Sequence, residues 1–204
     1  DLTGLNHCIN LTELSLGSRI AGDNNSGNKI TNIQVIQDLI KLQVLDLSWN
    51  PISDFTPISN LKNLRVLSLR GNKLSNIEFI SNLLNLKQLW LITQEISDLK
   101  PIANLTNLIF LDLSGNPINN HAPLSSLEKV DDLRLAETQL KDLSFISNMN
   151  VNSLDVRGNQ ISDISSLVEL DTLTSVLLSN NPLSNTVLST HISALIEKGI
   201  TVEY

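Results

Sequence analysis

The sequence predicts an α/β solenoid, a stack of short coils whose parallel strands form one curved sheet. Three observations predict it. Aliphatic residues return every 22 positions along almost the whole 204-residue chain, and a fixed period of that length marks stacked repeats. Each return carries an x-Leu-x-Leu-x segment, whose period of two is that of a strand with one face buried. Aromatics make up only 3% of residues, too few for an ordinary globular core of this size but sufficient for layered aliphatic side chains.

Leu42-x-x-Leu45-x-Leu47-x-x-Asn50-x-Ile52 is followed 22 residues on by Leu64, Leu67, Leu69, Asn72 and Leu74. The pattern returns at Leu86, Leu108 and Val130, then at Val151 and Leu173, and Leu11, Leu14 and Leu16 begin an earlier copy. Eight copies result, and one strand per copy makes successive strands parallel neighbours. The Asn sits where the chain leaves the strand, with an amide able to satisfy backbone groups of the turn. Stacking then gives a ladder of Asn28, Asn50, Asn72, Asn116, Asn159 and Asn181, interrupted by Gln94 and Thr138. Glutamine is one methylene too long, so an adjusted turn is expected near residue 94. Asn32, Asp54, Asn76, Asp98, Asn120, Asp142, Asp163 and Asn185 fit helix N-caps. The dozen residues after each have apolar spacing near three, as in Ile52, Phe55, Ile58 and Leu61, and some carry Pro57 or Pro101. Short 3-10 or irregular turns on the outer face are expected, with the sheet on the concave side.

The ends depart from the pattern. Residues 1–183 read as repeats that start mid-repeat, because Leu2, Leu5 and Cys8 align with Ile33, Ile36 and Leu39. That alignment places Cys8 in the core as a buried, inert thiol, and it suggests further sequence upstream. Nine extra residues in the first copy make residues 17–27, GSRIAGDNNSG, a flexible loop. Residues 184–204 read as a cap: Ser184 or Asn185 starts a helix with Leu188, Ile192, Leu195 and Ile196 on one face. Gly199 stops it, and Ile200-Thr201-Val202 adds a last strand.

The unit L-x-x-L-x-L-x-x-N-x-I-x-D-I-x-x-L-x-x-L resembles the 22-residue repeats of bacterial internalins and internalin-like surface proteins. The resemblance implies a right-handed leucine-rich-repeat solenoid that binds a protein ligand on its concave face, probed by variable residues on a common scaffold. It implies a piece of a larger bacterial protein at the cell surface or secreted. The same repeat class occurs in a regulatory subunit of protein phosphatase 1, which leaves an intracellular, cytoplasmic regulatory scaffold as an alternative. A structural spacer without a specific ligand is a third reading.

Composition narrows the function. A net charge of −7 argues against nucleic acid or an anionic membrane as the main partner and favours a basic or mixed-charge protein. No run of 18 apolar residues occurs, so no membrane insertion is expected. His7, His121 and His191 lie in distant copies, and no triad, paired acid site, Cys/His cluster or phosphate loop accompanies them. No catalytic residue, metal site or cofactor is therefore expected, and the chain is read as a monomer and not an enzyme.

Residues between and beside the strand leucines point to the concave face. Val44, Val66, Trp90, Ile92 and Phe110 fall on four adjacent strands, with Trp49 at their rim. Arg70, Asp112, Arg134 and Arg157, together with Asp46 and Asp155, surround them. An apolar centre with a charged rim is the anatomy of a protein interface. The competing reading is that Trp90 and Phe110 pack on each other to stabilise the sheet.

Overall fold

The computed structural model describes residues 2–17 and 28–204; the expected loop at 17–27 therefore lies, apart from Gly17, outside the described residues. Among these residues nine three-residue strands form one sheet: β1 (Glu13–Ser15), β2 (Val44–Asp46), β3 (Val66–Ser68), β4 (Gln88–Trp90), β5 (Phe110–Asp112), β6 (Asp132–Arg134), β7 (Ser153–Asp155), β8 (Ser175–Leu177) and β9 (Thr201–Glu203). They lie in sequence order and every pair is parallel. The register is position for position, so Leu14, Leu45, Leu67, Leu89, Leu111, Leu133, Leu154, Val176 and Val202 form one row. With a side-chain period of two, this row faces inward and its neighbours face out.

The opposite wall is made of 3-10 turns, at Gln34–Asp38, Thr56–Asn60, Glu78–Ile80, Lys100–Ile102, Ala122–Ser126 and Ser144–Asn148, with a short helix α1 (Ser165–Val168) in the next coil. The predicted capping side chains act from one position before the assigned cap. Asn32, Asp54, Asn76, Asp98, Asn120, Asp142 and Asp163 each accept a hydrogen bond from the backbone N–H two residues on, at 2.7–2.9 Å. Such Asx turns redirect the chain without committing it to a long helix. Between the two walls lies one continuous aliphatic core from Ile33 to Ile200.

The amide ladder holds the third side of each coil. Asn72 Nδ2 donates to the carbonyls of Leu47 and Leu69, and its Oδ1 accepts from Asn50 N. Asn50, Asn116, Asn159 and Asn181 repeat this reach to their own coil and the preceding one. The two interruptions differ. Gln94 keeps the bond to the preceding coil, at Leu69 O, but its extra methylene carries Nε2 past Leu91 O to Ile92 O. Thr138 bonds Leu135 O within its own coil and does not reach Leu113 O. Across the coils it meets Asn159 Oδ1, which accepts from Thr138 N at 3.0 Å, and His121, whose Nε2 lies 3.3 Å from Thr138 Oγ1 and whose ring stacks on Phe145. Burial pushes the His121 imidazole down to about 4.

The residue before each ladder position from Asn50 onward has a positive φ: Trp49, Gly71, Thr93, Gly115, Glu137, Gly158 and Asn180, between 54° and 72°. Side chain and glycine alternate through the first six. Trp49 lies directly over Gly71, where a Cβ would stand 2.1 Å from the indole Cε3. Glu137 covers Gly158 in the same way, and Thr93 covers Gly115 at looser distance. Glycine thus serves here as the socket for the neighbouring coil's side chain as well as for its backbone angle.

Two expectations at the ends are corrected. Cys8 is exposed, although its equivalents Leu39 and Leu61 are buried. Among the described residues the first coil is stacked on one neighbour, and Leu2, Leu5, Leu11, Leu14 and Leu16 are also half-exposed. At the other end the helical segment runs through α2 (Asn185–Val187), a π turn (Leu188–Ile192) and α3 (Ser193–Glu197), with Ser184 Oγ accepting from Val187 N as its cap. Ile192 and Leu195 are buried under it, whereas Ile196, expected on the same face, is exposed. A single residue step turns a helix by about 100°, which carries Ile196 away from the core. Gly199, at φ 81°, donates to Ile196 O and releases the chain into β9.

Candidate interaction face on the concave sheet

Alternation along each strand puts two outward side chains per coil on the concave face, and a third follows where the strand ends. The row Glu13, Val44, Val66, Gln88, Phe110, Asp132, Ser153, Ser175 lies beside the row Ser15, Asp46, Ser68, Trp90, Asp112, Arg134, Asp155, Leu177. Val44 and Val66 are therefore direct neighbours, while Gln88 stands between Val66 and Phe110. All five apolar residues expected at the centre, Val44, Val66, Trp90, Ile92 and Phe110, are half-buried.

The structure brings four of the expected residues into one diagonal. The guanidinium carbon of Arg70 lies 5.5 Å from the Trp90 ring centroid. Trp90 and Phe110 meet at 4.7 Å between centroids, tilted by 37°. Arg134 then covers Phe110 at 5.0 Å. Cation, ring, ring and cation follow one another across β3 to β6, each contact worth about 0.5–1.5 kcal/mol. The aromatic pair is thus in mutual contact and also forms the middle of the face.

The arginines differ in what else they hold. Arg134 forks onto Asp132 through Nε at 3.1 Å and Nη2 at 2.9 Å, and Arg157 onto Asp155 at 3.0 and 2.8 Å. The first fork lies within β6, the second joins the end of β7 to the residue two places beyond it, and both stiffen the arginine over the sheet. The Arg70 side chain makes no hydrogen bond to any described residue, and its Nε is sealed from water without an acceptor.

Asp112 departs from the expected charged rim. It is 4% exposed, and burial raises its carboxyl above the usual range, opposed by the Ser114 N–H and by Arg134 and Arg70. Asp46, Asp112 and Asp155 each accept from the backbone N–H two residues on, at 2.9–3.2 Å. These aspartates end the strand as Asx turns, so part of the apparent rim is local architecture. Asp46 also accepts from Ser48 Oγ, which meets Ser68 Oγ at 2.8 Å. Trp49 is half-buried over Gly71; its distance from the centre follows from its place before the ladder Asn. The sequence offered that signal, since Gly71 precedes Asn72 as Trp49 precedes Asn50.

Over the three outward positions, Glu13, Asp46, Asp112, Asp132, Asp155 and Glu203 outnumber Arg70, Arg134 and Arg157. Among the described residues no group of His, Cys, Asp and Glu could hold a metal ion, and no helix is long and apolar enough to cross a membrane.

Comparison with known proteins agrees with this architecture. Models of leucine-rich repeats match residues 62–104, 39–54, 147–164 and 107–130. The fold of an internalin, inlF, from Listeria monocytogenes superposes with a TM-score of 0.87 at 28% identity, covering 100% of this chain and 56% of that one. Internalin C2 from the same organism gives 0.77 at 32% identity, covering 94% and 80%. A leucine-rich-repeat protein of Leptospira interrogans gives 0.77 at 28%, covering 88% and 45%. The chain thus spans little more than half of the internalin inlF structure. No curated protein matches the sequence itself.

Proposed function

Because this chain belongs to the internalin-like leucine-rich-repeat proteins, we propose that it is a non-catalytic module that binds a protein ligand on its concave face. The observation that carries the reading is the Arg70–Trp90–Phe110–Arg134 diagonal. Half-exposed aromatic rings at the middle of an open sheet, fixed by flanking cations, present rigid anchors at low entropic cost. Val44, Val66 and Ile92 extend the apolar surface, Trp49 borders it, and Asp112 and Arg157 complete its surroundings.

The excess of carboxylates over guanidiniums on this face favours a basic or mixed-charge partner. The unpaired guanidinium of Arg70 adds one place for a ligand acceptor at the centre. The internalins it resembles favour a bacterial protein at the cell surface or secreted, of which this chain forms part.

The test is to immobilise wild-type protein and the Trp90→Ala/Phe110→Ala variant, capture proteins from serum and from host-cell membranes, and quantify both sets by mass spectrometry. Circular dichroism must show the variant folded. At least one captured protein should fall about tenfold or more, the loss of roughly 1.4 kcal/mol or more at an aromatic hot spot. Identical capture profiles would favour the spacer reading, in which Trp90 and Phe110 stabilise the sheet and nothing else.

A further inference from the structure

We infer that a second face of the solenoid, the edge along which each coil turns into its strand, is a docking surface for an acidic, partly apolar segment of a partner protein. The inference does not depend on the concave reading.

Two columns form this edge. One runs through Gln43, Arg65, Lys87 and Ile109, fixed by hydrogen bonds from each backbone N–H to the carbonyl of its predecessor at 2.8 Å. The other runs through Ile40, Lys62 and Leu84, which follow the buried Leu39, Leu61 and Leu83. Over residues 40–43, 62–65, 84–87 and 106–109 the charged residues are Lys41, Lys62, Arg65 and Lys87, with no carboxylate. This is the reverse of the chain's net charge of −7.

Arg65 and Lys87 occupy the same position in adjacent coils, about 4.8 Å apart along the sheet. Like charges so placed oppose folding, and neither they nor Lys62 has a salt-bridge partner among the described residues. Lys62, Arg65 and Lys87 thus form a cluster of cations with no neutralising carboxylate within these four turns.

Aliphatic exposure concentrates on the same edge. Ile40 is 56% exposed, Leu84 51% and Ile109 41%, and Ile9, at 58%, continues the second column. These account for four of the six large hydrophobic residues exposed among the described ones; Ile196 and Tyr204 lie at the C-terminal end. Ile9 and Ile40 are neighbours in one column, Lys62 parts them from Leu84, and Ile109 ends the other column, so apolar and cationic groups interleave along one edge, as a segment carrying both acidic and apolar side chains would require.

The polar groups between select a peptide over a phosphate polymer. A groove of about 490 Å³ is lined by Gln43, Asn63, Arg65, Asn85, Lys87 and Asn107. Asn63, Asn85 and Asn107 donate Nδ2 to the carbonyls of Ile40, Lys62 and Leu84 in the preceding coil. Their oxygens are left as acceptors, and Lys129 Nζ takes that of Asn107. Asn63 and Asn85 therefore offer acceptors between cations. A peptide can answer with backbone N–H groups and carboxylates together, whereas phosphates bring acceptors only.

The probe is a fluorescein-labelled peptide of glutamate, leucine and serine in alternation, read by fluorescence anisotropy. The controls are its glutamine counterpart, polyphosphate, and vesicles of phosphatidylcholine with phosphatidylserine. The acidic peptide should bind wild type and weaken about tenfold in Arg65→Glu/Lys87→Glu, and also in Leu84→Ser. Trp90→Ala should leave it unchanged. Arg65→Gln should keep or raise the melting temperature at low salt, since it removes a like-charge neighbour. The inference is overturned by absence of peptide binding, by equal binding of the glutamine peptide, or by preference for polyphosphate or vesicles. A loss of peptide binding in Trp90→Ala would move the peptide to the concave face and overturn it too, as would a fall in melting temperature on Arg65→Gln.

Discussion

Replacing Asn116 by Ala should cost markedly more than the same change at Asn72, although both amides stand in the same ladder. Leu47 O and Leu69 O each accept from two ladder side chains, Asn50 with Asn72 and Asn72 with Gln94. Removing Asn72 therefore leaves each carbonyl one donor. Around Asn116 both reserves are missing, because Gln94 overshoots Leu91 O and Thr138 falls short of Leu113 O. Asn116 Nδ2 is the ladder's one donor to Leu91 O, at 2.8 Å, and to Leu113 O, at 2.7 Å, while Oδ1 accepts from Ile96 N at 3.1 Å. Asn116→Ala leaves three backbone groups unpaired in an aliphatic interior, at about 1–1.5 kcal/mol each. One water in the vacated space would recover part of this, so the expected loss is about 3 kcal/mol. At Asn72 only the N–H of Asn50, bonded at 3.3 Å, is left unpaired, and about 1–2 kcal/mol is expected. Equilibrium unfolding in guanidinium chloride reads both, with unchanged m-values keeping the comparison valid. Equal losses, or a larger one at Asn72, would refute the accounting of donors.

Gly71→Ala should destabilise by about 2–4 kcal/mol, since its Cβ collides with Trp49 and its φ is positive; adding Trp49→Ala should return part of that loss in the same unfolding assay. The His121 imidazole, held near 4 against an ordinary 6.5, binds its proton more weakly folded than unfolded. Its contribution is thus complete above pH 6.5 and is lost as pH falls towards 4. Discounting for the partly wet ring, about 1–2 kcal/mol should disappear across that window, and His121→Leu should flatten the profile of stability against pH.

The period of 22 made the fold legible, because an aliphatic side chain every coil and an amide at each strand exit admit few other packings. Leu45, Leu67 and Leu89 could be placed in one row before any coordinate was known. Cys8 aligns with buried leucines and is exposed among the described residues, because alignment reports position within a coil, whereas burial also depends on the coils stacked against it. Asp112 and Asp155 read as rim charges, since sequence does not distinguish a free carboxylate from one folded onto the N–H two residues ahead. The concave apolar residues were legible as a set, and their diagonal contact was not: Trp90 and Phe110 are offset by one outward position, and only the sheet's geometry brings the rings together. The edge cluster stayed hidden because Arg65, Lys87 and Ile109 look like ordinary solvent positions until stacked.

The alternation of glycine with larger residues before the ladder constrains how such a gene can lengthen or shorten. Deleting a single 22-residue unit containing Gly71 would set the Trp49 indole on Thr93, whose β-carbon occupies the space the ring requires. Deleting two units would bring Gly115 beneath it and keep the fit. Repeat number in this scaffold should therefore drift by even steps, and an odd step should survive only with a compensating exchange in that column.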